Sequence, residues 1–122
     1  VSRSGGPVRA GRASGTVVRC GLVESITGDR AVAMAFFFDH AVDEAGLTAG
    51  LALALDHVPL YAGRFRKRGK ALDIVCSDDG ASMSFRDSDM TLDQAMRTAA
   101  RLDSGLIDHI DTDATRQGTV RC

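Results

Sequence analysis

An α/β fold, a mixed β-sheet with two helices packed on it, is what this sequence predicts. Three observations carry that reading: short apolar runs bounded by turn residues lie between Ala31 and Arg86, two segments hold apolar residues at helical spacing, and the two kinds of segment alternate. The 122 residues suffice for one domain and not for two. Apolar residues make up 44% and charged residues 25%, an ordinary balance for a chain with a core, and no apolar run approaches bilayer length.

Taken in order, residues 1–20 form an Arg/Gly/Ser-rich tail. Up to Thr16 it holds few bulky apolar residues, and flexibility is expected of it. Val1 to Gly15 contain no apolar stretch of the secretory type, and the chain starts without Met, so it reads as a fragment of a cytoplasmic protein. Ala31 to Phe38 (AVAMAFFF) follows the turn signal Gly28-Asp29 and predicts a buried strand, with Phe36, Phe37 and Phe38 as core. Asp43 to Val58 predicts a helix. Leu47, Leu51, Leu55 and Val58 share a face, Asp43 and Glu44 suit the positive end, and Pro59 stops it. Ala62 to Arg66 and Ala71 to Cys76 predict two strands joined by a basic turn at Gly69. Cys76 is expected in the core. Asp78-Asp79-Gly80 is a further turn, and Ala81 to Arg86 a third strand. Thr91 to Leu102 predicts a second helix, opened by a capping box of Thr91 and Gln94, with Met96 on its core face. A beginning strand is expected at Thr119 to Cys122, whose unpaired edge favours association.

Charge and cysteine usage exclude several classes. The net charge is −1, with Arg3, Arg9, Arg12 and Arg19 before the first acid, Glu24, and ten Asp against three Arg from Asp73 to Asp113. Such a chain has no strong electrostatic footprint for nucleic acid, and a contact through the arginines of the tail is the minor alternative. Cys20, Cys76 and Cys122 have no metal-ligand spacing and read as reduced thiols. No glycine-rich phosphate loop and no nucleophile elbow around Ser14, Ser25 or Ser104 is present. Arg66, Lys67, Arg68 and Lys70 form a basic hairpin tip, read as a solvated turn or as a contact for phosphates.

The ordered set from Arg30 to Ser84 resembles the BAHD acyltransferases, which use acyl-CoA and share the fold of chloramphenicol acetyltransferase. Phe36-Phe37-Phe38 stands for the aromatic strand end of that family, and Leu51, Ala54 and Leu55 for its helix. Pro59-Leu60-Tyr61-Ala62-Gly63-Arg64-Phe65 matches its Pro-Leu-Ala-Gly-Arg stretch with Tyr61 inserted. Leu72-Asp73-Ile74-Val75-Cys76 and Ser77-Asp78-Asp79-Gly80 match its Ile-x-Cys strand and acidic turn. Gly63 permits a turn or a close backbone approach, and Arg64 is expected to fix its strand through an ion pair, with contact to a ligand as the alternative.

The resemblance implies that residues 21–122 are part of an N-terminal lobe. It implies a protein that moves an acyl group from acyl-CoA, a co-substrate and not a bound cofactor, to a small hydroxyl or amine acceptor. It further implies a partner in the form of a missing C-terminal half, or self-association through a sheet edge. The family's general base sits in a His-His-x-x-x-Asp-Gly motif. His109 and Asp113 have the His-x-x-x-Asp spacing and are the candidate catalytic residues. Asp108 stands in place of the second His and Ala114 in place of Gly, and the alternative reading is a solvated acidic loop. Asp108, Asp111 and Asp113 lack the Gly and Glu of a calcium loop, so no metal is expected. The chain has no Trp, so the family's second hallmark, Asp-Phe-Gly-Trp-Gly, is absent, and the chain is expected to be inactive alone. The alternative is a non-enzymatic α/β binding module.

Overall fold

A computed structural model describes residues 2–28, 30, 32–101, 105 and 106. It is a small α/β arrangement with two sheets. β1 (Ser2–Ser4) pairs with β5 (Ser84–Arg86). In the other sheet β4 (Ala71–Val75) lies between β2 (Val17–Arg19) and β3 (Arg64–Arg68). The helices are α1 (Leu22–Thr27), α2 (Glu44–His57) and α3 (Leu92–Ala99), with a 3-10 turn at Pro59–Ala62.

Every pairing among these strands is antiparallel, which corrects the expected mixed sheet. Parallel neighbours need long crossovers, whereas β3 and β4 are joined by the two residues Gly69 and Lys70. Gly69 supplies the left-handed angle (φ +62) that this tight turn requires.

α2 forms where the sequence places it, and α3 starts where expected but stops at Ala99, short of the expected Leu102. α2 starts after Asp43 and ends before Val58, because Pro59 has no N–H to continue the ladder. α3 opens with the full capping box. The Thr91 hydroxyl accepts from the Gln94 N–H at 3.2 Å, and the Gln94 amide oxygen accepts from the Thr91 N–H at 2.9 Å. Met96 is a correction: it and Leu92 remain exposed, so the apolar stripe of α3 is not a core face.

The buried apolar side chains among the described residues are Leu55, Ala62, Leu72 and Cys76. They come from α2, the 3-10 turn, β4 and the residue after β4, so the core lies beneath the three-stranded sheet where α2 passes into β3. α1 closes over β4, with Gly28 against the Leu72 side chain and Ser25 Oγ accepting from the Leu72 N–H at 3.3 Å.

Two expectations are corrected here. Residues 32–38 form no strand, and Phe36 is 74% exposed, with Phe37 and Phe38 exposed as well. An apolar run gains by burial, but a strand also needs a backbone partner for its N–H and C=O groups, and this segment pairs with none of the described strands. Within residues 1–20, expected as a tail, β1 and β2 add to the two sheets. Their partners, β5 and β4, lie far downstream, and such long-range pairing leaves no mark in local composition.

Candidate functional site

The region that carries the resemblance, Pro59 to Gly80, folds as one unit. The chain leaves α2, makes the 3-10 turn, enters β3 at Arg64, and returns along β4 to the acidic turn. Gly63 sits where these parts meet. A Cβ there would strike the backbone oxygens of Val75 and Leu60, so only glycine fits this close approach.

Arg64 locks the unit. Its Nη1 donates to the carbonyls of Gly63 (2.6 Å) and Gly80 (3.2 Å), and its Nε lies 3.7 Å from Asp79 Oδ2. This is the strand-fixing role expected of it, extended by two backbone carbonyls. Gly80 N–H donates in turn to Ala62 O at 3.1 Å, which closes the turn onto the end of the 3-10 segment.

The acidic turn also holds the segment before β2. The Asp78 carboxylate accepts from the backbone N–H groups of Ala10 and Gly11, both at 2.9 Å. Val8 and Ala81 exchange two backbone hydrogen bonds, at 2.8 and 2.9 Å. Arg12 reaches Asp56 on α2 at 2.5 Å. Residues 8–12 therefore run as a strap over the turn. Asp78 adopts a left-handed angle (φ 54), which aspartate tolerates better than most residues.

On one face of the sheet, Asp73 in the central strand is 1% exposed. Its carboxylate receives Arg68 Nε at 3.2 Å to both oxygens and lies 3.5 Å from Arg66 Nη2. A carboxylate so buried needs both charge and hydrogen-bond partners, and β3 supplies them by alternation. Substitution of Asp73 by Asn is expected to lower stability by about 1–2 kcal/mol. That is less than a fully buried pair, because both guanidinium groups remain half exposed. An unchanged urea midpoint for the variant would remove this role from Asp73.

His109 and Asp113 lie outside the described residues, as do Asp108, Asp111 and Cys122. His40 is exposed, with Nδ1 3.0 Å from Asp39 Oδ1 and its ring 5.8 Å from that of Phe38. His57 ends α2 at the surface. Among the described residues no cluster of His, Cys, Asp and Glu could hold a metal ion. Cys20 and Cys76 are free thiols. Burial first, then the nearby Glu24 and Asp73, push the Cys20 thiol above its ordinary pKa, so it is a poor nucleophile at neutral pH.

An open groove runs between residues 5–9 and α2, lined by Pro7, Val8, Ala45, Ala49, Ala52 and Phe85 among others. Among the described residues its lining holds no His or Cys, and Glu44 is its carboxylate. Neither the strap nor the buried Asp73 is legible in the sequence. Alternation in the segment from Arg64 to Arg68, with Asp73 across the hairpin, was the signal available for the second.

No protein family, no curated protein and no solved structure matches the chain. Among the described residues no helix is long and apolar enough to cross a membrane.

Proposed function

We propose that this chain is the N-terminal part of an acyl-CoA-dependent acyltransferase, the framework of one lobe and not its catalytic centre. The single observation that carries the reading is the Pro59–Gly80 unit. Within it Pro59 ends α2, Gly63 allows the close approach, Arg64 ties β3 to the turn, and Cys76 is 4% exposed in the core, whereas Phe36, Phe37 and Phe38 of the same resemblance are exposed and form no strand. The acyl donor would be an acyl-CoA and the acceptor a small alcohol or amine. The general base is assigned to a His-x-x-x-Asp-Gly segment that this sequence lacks.

Thiol release from acetyl-CoA and an aromatic acyl-CoA, followed with a chromogenic disulfide, tests the proposal. The 122-residue chain is expected to release no thiol above background, and the product of its complete coding sequence is expected to release it in the presence of an acceptor. Release by the 122 residues alone, abolished in His109→Ala, would move the chemistry onto His109 and overturn the reading.

A binding module is the second reading, favoured by exposed apolar side chains on α1 (Leu22, Val23 and Ile26) and by exposed Phe36. The edge expected at Thr119 to Cys122 lies outside the described residues. β3, one edge of the three-stranded sheet, carries four cations in five residues, a composition that opposes edge pairing.

A further inference from the structure

We infer that the sheet face bearing Arg19, Arg66 and Arg68 around Asp73 is a binding site for a small ligand carrying phosphate groups. The inference does not depend on acyl transfer and rests on strand register. Arg66 on β3 stands opposite Asp73, and Arg19 on β2 stands opposite the same Asp73 from the other side. Arg68, two residues beyond Arg66, shares the face by alternation and binds the Asp73 carboxylate. The backbones of β2 and β3 are two strand spacings apart, about 10 Å, a separation that two arginine side chains can close over one phosphate group.

Charge and order favour the anion. Arg19, Arg66 and Arg68 surround Asp73, with Glu24 close to the adjoining Cys20, so three cations stand against two carboxylates. Asp73, itself buried, holds two of the guanidinium groups in place, so less side-chain freedom is lost when a ligand arrives. Arg68 meets the carboxylate through Nε, and its terminal nitrogens make no hydrogen bond to the described residues. Those nitrogens match the paired oxygens of a phosphate. Arg64 lies outside the site, because Asp79 and two carbonyls hold it.

Calorimetric titration of the whole chain with inorganic pyrophosphate at low salt tests the site. Saturable binding is expected, weakened about tenfold in Arg19→Gln and again in Arg66→Gln. Arg19 is exposed on an edge strand, so its variant is expected to keep the wild-type urea midpoint, and Arg97→Gln on α3 serves as the control without effect. ATP and coenzyme A are titrated in parallel, and the tighter of the two identifies the carrier of the phosphates. The inference is overturned by absence of pyrophosphate binding at millimolar concentration. It is equally overturned by binding that Arg19→Gln and Arg66→Gln leave unchanged, or by a DNA oligonucleotide that binds where pyrophosphate does not.

Discussion

Alanine at Gly63 is expected to lower the stability of the fold by about 1–3 kcal/mol. The backbone angles at Gly63 (φ −84, ψ −166) are open to any residue, so the loss is purely steric. The added methyl group would meet the carbonyl oxygens of Val75 and Leu60, both backbone atoms. Neither can yield without moving β4 or the 3-10 turn, and the Arg64 bonds to Gly63 and Gly80 would be displaced with them. Gly50 is the internal control. It lies within α2 with nothing near a Cβ, so Gly50→Ala is expected to stabilise by roughly 0.5–1 kcal/mol. Urea unfolding of the two variants separates close approach from backbone entropy. Equal midpoints for both would show that the Gly63 contact is not tight.

Gly80→Ala is expected to cost more, on the order of 3 kcal/mol, because two effects act together. The residue has φ +87, where a side chain is strained, and a Cβ would strike the Val8 carbonyl. The same carbonyl accepts from Ala81 N–H, so relief of the clash breaks the bridge that holds the strap. Beyond the lower midpoint, faster tryptic cleavage after Arg9 and Arg12 is expected, since both lie in the strap released by the change. A variant with wild-type cleavage rates would mean that Asp78 and the Arg12–Asp56 pair hold the strap without the Val8–Ala81 bridge.

What the sequence made legible was local. Pro59 and Asp43 mark the ends of α2, Thr91 and Gln94 mark the start of α3, and Gly69 marks the hairpin, because each acts within a few residues of itself. Cys76 was placed in the core, and Arg64 in an ion pair, on similar grounds. What stayed illegible depends on distant partners. The Asp78 carboxylate meets Ala10 and Gly11 across almost seventy residues, and β2 finds β4 across more than fifty. The error at Ala31 to Phe38 has the same origin. Apolar content signals a tendency to bury, while a strand is defined by a pairing that the segment itself does not contain. α1, six residues long with Leu22, Val23 and Ile26 exposed, carries too short a pattern to have been read. The candidate site divides likewise: Gly63 and Arg64 are legible from residue type and neighbours, and the rest of the framework only through the resemblance, whereas His109 and Asp113 rest on a spacing match outside the described residues.

On the proposed function the general base belongs to a His-x-x-x-Asp-Gly segment, which these 122 residues lack. Determination of the coding sequence beyond Cys122 tests this most directly. A His-x-x-x-Asp-Gly segment in the continuous reading frame is expected. A stop codon at Cys122, or a continuation without that segment, would contradict it and leave the hairpin as the scaffold of a binding protein.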